Sequence, residues 1–177
     1  MSDFENNATK IFIKSLDTGL TVTAQYNPKE LQVDKSVPWS KVNEANKANA
    51  KSASSQGIHL EFTGAEGRSL SVELLFDSVE GGARSVDVAG SVKDLETLAS
   101  VIEPGSPEED KRRPHRCVCT WGSTLDSFRC VIESLSTKYT MFSDQGVPLR
   151  ATCTVKLKEA DTVTGASSSG GGAAGGG

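Results

Sequence analysis

The feature of this sequence that most constrains its fold is an unusually long strand pattern near the C-terminal end. From residue 147 to residue 158, apolar and polar residues alternate without a fault. A period of two places successive side chains on opposite faces of a β-strand, so one face of this segment is predicted to be buried. Its length of about eleven residues is well beyond the usual five or six. The apolar residues are Val147, Leu149, Ala151, Cys153, Val155 and Leu157.

The segment before this strand also alternates, but it changes phase part-way along. Because one extra residue moves every later side chain to the other face, we expect a β-bulge or a sharp twist near Ser134. Residues 144–146, Asp-Gln-Gly, separate the two segments and predict a hairpin turn. The apolar residues are Phe128, Cys130 and Ile132 before the change of phase, and Leu135 and Tyr139 after it.

Shorter alternating runs occupy much of the first half of the chain. Residues 10–16 and 20–26 are joined by Asp-Thr-Gly, which predicts a hairpin. Three further runs, at residues 31–39, 58–62 and 70–76, each predict a strand with one buried face. The apolar residues expected on these three faces are Leu31, Val33, Val37 and Trp39, then Ile58, Leu60 and Phe62, and finally Leu70, Val72, Leu74 and Phe76.

Only one segment has a helical period. Its apolar residues recur at steps of three and four, which predicts an amphipathic helix over residues 88–103. Ser91 with Asp94 resembles a capping box, and a Pro-Gly pair at residues 104–105 ends the pattern. The residues on the apolar face are Val88, Val92, Leu95, Leu98 and Ile102.

These elements predict a mainly β fold of the α+β class, either a small antiparallel β-barrel or a sandwich, with one flanking helix. We expect residues 10–159 to form the domain and residues 1–9 to be a flexible N-terminus. Residues 160–177 are mostly Gly, Ser and Ala, a composition that predicts a disordered tail. Residues 40–57 have no apolar stripe of either period. They predict a long loop, or an arm that becomes ordered against a partner.

Charge and hydropathy argue against several classes of partner. The net charge is −4 and no basic stripe alternates with aromatic residues, so we expect no nucleic acid partner. No apolar run approaches the roughly 20 residues that span a bilayer, so we expect no insertion into a membrane. The N-terminal residues are polar and acidic and do not resemble a secretory signal. We therefore expect assembly in the cytoplasm.

No group of residues in the sequence has the pattern of a catalytic or cofactor site. The four cysteines form no C-x-x-C pair and are interpreted as small buried hydrophobes, not as disulfides or zinc ligands. His59 and His115 are interpreted as surface residues, and no G-x-S-x-G elbow accompanies them. The acidic run at residues 108–110 does not have the spacing of a calcium loop. We expect no enzymatic activity, no metal and no cofactor.

Five stretches follow one another in a familiar order. They are YNPKEL at 26–31, LEFTG at 60–64, LSVELLFD at 70–77, RPHRCVCTWG at 113–122 and the closing hairpin at 130–159. In this order they resemble the tube-type domain of contractile injection systems, the phage-tail-like particles of bacteria. The resemblance covers nearly all of residues 10–159. Some members of that family carry a LysM module after this domain, which residues 160–177 do not resemble.

The resemblance implies a structural subunit, six copies of which close into a ring through a continuous sheet. It places the subunit at the junction of the inner tube and the spike, as a tube initiator or a spike adaptor. Its partners would be itself, the inner tube protein and the spike protein of a particle that is released or membrane-anchored. Interface residues are expected in the arm, at the hairpin turn and on the polar face of the last strand. They are Lys41, Asn46, Lys51, Asp144, Gln145, Arg150, Lys156 and Lys158.

Two other functions stay open on the residues alone. A β-barrel binding module for a small apolar ligand would have a hollow interior, as lipocalin-like barrels do. An enzyme of an unrecognised type would depend on one of the two histidines, since histidine is the commonest general base.

Overall fold

The computed structural model describes residues 9–41, 58, 60–80, 82 and 85–163. Most of the predicted flexible N-terminus, arm and tail lie outside these residues, as does His59. The described chain forms nine β-strands, one α-helix and a short 3-10 turn at Glu109–Lys111. The elements are β1 (Phe12–Ser15), β2 (Thr21–Thr23), β3 (Leu31–Asp34), β4 (Trp39–Lys41), β5 (Leu60–Phe62), β6 (Ser69–Asp77), α1 (Val88–Ala99), β7 (Cys117–Trp121), β8 (Leu125–Phe142) and β9 (Pro148–Glu159).

Seven of these strands form one antiparallel sheet in the order β2-β1-β7-β8-β9-β6-β3. The strands β4 and β5 pair separately as a two-stranded ribbon. The large sheet is open, since β2 and β3 lie at its two ends and are not paired with each other in the described chain. The mainly β fold of the α+β class is therefore confirmed, with a sandwich-like architecture and no closed barrel in this part of the chain.

The hydrophobic core lies between α1 and one face of the large sheet. The helix packs against β8 and β9, and it also contacts β2 and β6. Buried side chains from all these elements form one continuous cluster. The described sheet is not a closed barrel, which is the architecture that the lipocalin-like alternative requires. The helical contribution consists of Val88, Val92, Leu95 and Leu98.

The helix is shorter than the predicted residues 88–103. It ends at Ala99, so Ile102 lies beyond it. The expected capping box is also wrong, because Ser91 lies inside the first turn. Its hydroxyl donates a hydrogen bond of 2.9 Å to the carbonyl oxygen of Asp87, the residue that precedes the helix. Among the described residues, no helix is long and apolar enough to cross a membrane.

The large sheet curls around this core so that its β2 end approaches β6. Gln25, just beyond β2, donates through Nε2 to the carbonyl oxygen of Asp77 at 2.7 Å. Its Oε1 accepts a hydrogen bond from the backbone N–H of Asp77, also at 2.7 Å. Both residues are buried. Since β2 and β6 lie far apart in the order of the sheet, this pair of hydrogen bonds joins its two sides and holds the curl.

The long hairpin of β8 and β9 has the predicted form. A register shift falls between Ile132 and Ser134, where the bulge was expected. It keeps Ile132 and Leu135 on the same face, opposite Leu157 and Val155 of β9. The alternation of β9 is confirmed over its buried residues, which are Ala151, Cys153, Val155 and Leu157. Val147, also predicted on this face, lies before the strand and is exposed.

The prediction of buried faces at residues 31–39 and 58–62 is wrong. The first run is divided between β3 in the large sheet and β4 in the ribbon. Alternation shows which side chains share a face, but it does not show whether another element covers that face. In the described chain no element covers these residues fully, and the exposed ones are Val33, Val37, Trp39, Ile58, Leu60 and Phe62.

Candidate assembly surfaces

The strand β8 has a long unpaired edge. With 18 residues it is far longer than its neighbour β7, which has five. The strand β7 pairs with β8 only between Leu125 and Cys130. From residue 131 to residue 142, β8 is paired with β9 on one side and has no strand on the other within the described chain. Such an edge presents a row of backbone donors and acceptors to a further strand.

The strand β3 forms the edge at the far side of the same sheet. It pairs with β6 over Leu31–Asp34 and has no second neighbour among the described strands. Val33 belongs to the face that β3 shares with the core, yet 46% of its side chain is exposed. An apolar residue half-exposed on an open edge indicates a surface that a further strand could cover.

The face of the sheet opposite α1 is lined by hydroxyl and charged side chains, and we call it the hydroxyl face. Its residues are half-buried or fully exposed, because no described helix or strand packs on them. One ion pair crosses it, between Lys156 Nζ and Glu133 at 3.7 Å. A face of this composition is compatible with contact to water. Its polar residues are Ser71, Glu73, Ser134, Ser136, Lys138, Thr152, Thr154, Lys156 and Lys158, and Leu75 and Val131 lie on the same face.

The ribbon of β4 and β5 carries an exposed aromatic pair. The rings of Trp39 and Phe62 lie 5.6 Å apart in an edge-to-face arrangement. They are 57% and 51% exposed, and Leu60 beside them is 49% exposed. A two-stranded ribbon alone is only marginally stable in water, so the ribbon is suited to packing against another surface. Lys41, one of the predicted interface residues, is exposed at the end of β4.

The tip of the β8–β9 hairpin forms a second exposed apolar patch. Tyr139 and Phe142 are 6.2 Å apart, and Phe142 is 56% exposed. The tip lies at the Asp77 end of β6, whereas the ribbon adjoins its Ser69 end. The two apolar patches therefore lie toward opposite ends of the sheet. Residues 144 and 145, both predicted at an interface, are exposed in the turn of this hairpin.

The other predicted interface residues are distributed between several places. Arg150 is held within the protomer, since its Nε donates to the Asp77 carboxylate at 2.6 Å and its Nη2 lies 3.1 Å from Glu80. Lys156 and Lys158 project from the hydroxyl face. The two remaining predicted residues, Asn46 and Lys51, lie outside the described residues.

A polar network fixes the turn between β1 and β2 to the segment before β7. The guanidinium of Arg113 is only 2% exposed and donates two hydrogen bonds to Asp17, at 2.9 and 3.0 Å. Arg116 donates three more to the same carboxylate, at 2.7 to 3.1 Å. These hydrogen bonds, those of Arg113 first, hold the pKa of Asp17 well below its usual range. Asp110 adds a more exposed ion pair to Arg113 at 3.1 Å.

His115 belongs to the same region, and the prediction that it lies at the surface is wrong. It is 4% exposed, and its Nδ1 lies 2.8 Å from the hydroxyl oxygen of Ser15. That oxygen already accepts hydrogen bonds from the N–H groups of Asp17 and Thr18, so its own proton is directed at Nδ1. Burial lowers the pKa of His115. Ser15 is fully buried, and the pair therefore joins the end of β1 to the segment before β7.

The four cysteines are free thiols buried in the core. Cys117 and Cys130 lie directly opposite each other in β7 and β8. Burial raises the pKa of Cys117 and that of Cys119 to about 12, so neither is a thiolate at neutral pH. Within the described residues there is no group of three or more His, Cys, Asp or Glu side chains that could hold a metal ion. The cysteines act as small apolar packing residues, as their alternation predicted.

The described chain thus has open strand edges at β2, at β3 and along the second half of β8. It also has one uncovered polar face and two apolar projections, and its polar clusters serve to hold the fold. Comparison with protein families decides between the functions that such a surface allows. The family model of the contractile injection system tube protein matches residues 6–167 of the 177-residue chain. The chain belongs to this family. A search of curated proteins finds no match.

In this tube protein, two of the assembly surfaces were not found by sequence reasoning. The only sequence signal for the open edge of β8 is the mismatch between its length and that of β7. No sequence signal distinguishes the exposed aromatic pair of the ribbon from a buried one, because alternation is the same in both cases.

Proposed function

We propose that this tube protein is a structural subunit of which six copies close into a ring at the junction between the inner tube and the spike. The ring is supported by one observation: the four neighbouring strands β8, β9, β6 and β3 are bounded by an open edge of β8 on one side and by the open edge of β3 on the other. The junction position, as tube initiator or spike adaptor, is supported by the resemblance of the sequence stretches. Assembly takes place in the cytoplasm, and the finished particle is released or anchored at a membrane.

The directions of the four strands favour a closed ring. Each strand is antiparallel to the next, so β3 runs opposite to β8. A second copy in the same orientation therefore presents its β8 edge antiparallel to β3 of the first. Repetition of one such contact around an axis generates a cyclic assembly in which the β3 edge and the open part of the β8 edge are both paired. The hydroxyl face, with Lys156 and Lys158, then lines the lumen, and α1 lies outside.

The two apolar projections are suited to contacts between successive rings. The ribbon and the hairpin tip lie toward opposite ends of the sheet, so stacked rings bring one against the other. The tip carries Asp144 and Gln145 and the ribbon carries Lys41, which we assign to the rim of these contacts. Arg150 supports the tip from within through its ion pair with Asp77. The same surfaces provide contacts to the inner tube protein on one side and the spike protein on the other.

The ring is tested on the purified full-length chain by light scattering coupled to gel filtration and by negative-stain electron microscopy. Six copies of the 18.7-kDa chain have a mass of about 112 kDa. Val33→Asp, on the open edge of β3, is expected to abolish the ring, because it places a charge where the neighbouring strand packs. Thr21→Asp, on the exposed side of the other edge strand β2, is the matched control and is expected to leave it intact.

The junction position is tested separately by mixing the chain with the inner tube protein and the spike protein of the same particle. Binding to both at stoichiometric levels is the expected result. A chain that stays monomeric alone and in these mixtures would contradict the ring, whereas a ring that binds only tube copies would contradict the junction position.

A further inference from the structure

A groove of about 530 Å³ lies on the hydroxyl face next to the β3 edge. Its floor is formed by β6 and β9, including Glu73, Thr152 and Thr154. Its wall is the segment from Tyr26 to Glu30, which leads from the Gln25 contact into β3. The groove therefore begins where the pairing of β3 with β6 ends, at the side of the protomer that meets the next copy in the proposed ring.

The lining of the groove carries two carboxylates and one lysine, so its net charge is negative. Glu30 and Glu73 both line it and both are exposed, and neither forms an ion pair within the described chain. Lys29 is the single basic side chain in the lining. Two exposed carboxylates in the lining favour a cationic side chain over an anion.

The open edge of β8 carries one matching cation. Lys138 is the only basic residue between positions 131 and 142. It lies on the hydroxyl face opposite Thr152, is exposed, and forms no ion pair within the described chain. Lys156 is a weaker candidate, because it lies one strand further in and is already paired with Glu133.

We propose that Lys138 of the neighbouring copy enters this groove and pairs with Glu30 and Glu73 when the ring closes. This assignment rests on the proposed function, since it requires the β8 edge of one copy to lie along β3 of the next. The neighbouring β8 continues past the start of β3 and so runs beside the wall of the groove. The lysine then places a positive charge beside two carboxylates on one side of the joint, and this charge complementarity selects the correct pair of edges.

The test is a charge exchange in the full-length chain, with ring dissociation followed by mass photometry over a concentration series. Lys138→Glu is expected to weaken each joint about tenfold or more, since a close cross-interface charge pair is commonly worth more than 1.4 kcal/mol. Adding Glu73→Lys to that variant is expected to recover at least part of the loss. Lys93→Glu, an exposed change of the same charge on α1, is the control and is expected to leave assembly unchanged.

Each result has a definite meaning. Lys138 and Glu73 are both exposed, so circular dichroism is expected to show the native fold in every variant. A ring in the wild type that is equally stable in Lys138→Glu overturns this assignment and leaves the proposed ring standing. Loss of assembly in Lys138→Glu with no recovery in the double variant overturns the pairing with Glu73. A wild-type chain that forms no ring overturns the proposed function and this assignment with it.

Discussion

Replacing Asp17 by alanine tests how strongly the buried guanidinium of Arg113 depends on a single carboxylate. Asp17 accepts five hydrogen bonds, two from Arg113 and three from Arg116. The Arg113 side chain is 2% exposed and that of Asp17 is 11% exposed, so neither group can be rehydrated without opening the loop. After the change, the remaining carboxylate near Arg113 is Asp110, whose side chain is 73% exposed.

Removing one partner of a buried ion pair typically costs about 3–5 kcal/mol, because the other charge stays buried. For a domain of this size each kcal/mol corresponds to about 2–4 °C, so Asp17→Ala is expected to lower the Tm by about 6–20 °C. Asp110→Ala is the control, and its largely exposed pair is expected to cost less than about 1 kcal/mol. Urea and thermal unfolding followed by circular dichroism measure both, at a concentration where the oligomeric state is the same for all variants.

The dependence of the free energy of unfolding on pH, in the acidic range, provides a second readout of the same site. The pKa of Asp17 in the folded protein is lowered from its usual 3.8, so the folded state binds this proton less readily than the unfolded state does. Its contribution is present above about pH 4 and is lost as the pH falls below that value. In Asp17→Ala, the free energy of unfolding should therefore fall less steeply as the pH drops below about 4. If Asp17→Ala lowered the free energy of unfolding by less than about 1 kcal/mol, or by no more than Asp110→Ala does, the buried guanidinium of Arg113 would not depend on Asp17.

Three further outcomes follow from other contacts. Gln25→Ala leaves the buried N–H and carbonyl of Asp77 without these partners, and urea unfolding should show a loss of about 1–3 kcal/mol; a loss near zero would mean that the curl does not need this contact. The pKa of His115 is lowered from 6.5 by burial, so stability should decline as the pH falls below about 6.5, and His115→Asn should remove that slope. If the pH dependence of stability were unchanged in His115→Asn, another titrating group would be its source. The four buried thiols should react with a thiol reagent far more slowly in the native protein than in denaturant, as absorbance reports; rapid native labelling would contradict their burial.

Local pattern predicted the strands of this tube protein well where one face of a strand is truly covered. The alternation of β9 and the phase change in β8 were sufficient to place the buried residues and the bulge near Ser134. The hairpin of β1 and β2 followed from the turn residues between them. In each case the information is carried by neighbours in the chain, because side-chain direction in a strand is set by the backbone itself.

The same reasoning failed where burial depends on distant parts of the chain. Trp39 and Phe62 alternate like core residues, yet they are half-exposed because no described element lies over the ribbon. His115 reads as a loop residue between Pro114 and Arg116, yet it is buried against Ser15, which is 100 positions away. Whether a face or a loop is covered is decided by which elements become neighbours in the fold, and a short sequence window does not contain that information.

The long alternating strand, by itself, determined that this protein is built on an extended two-faced hairpin, and the order of the sequence stretches indicated its family. Only the tertiary structure showed that β7 stops early beside β8, that β3 is the opposite edge, and that an acidic groove lies beside it. The reason is that periodicity fixes the two faces of a strand, whereas its two edges are defined only by the strands that pair with it. The surfaces through which this tube protein is proposed to assemble are edges.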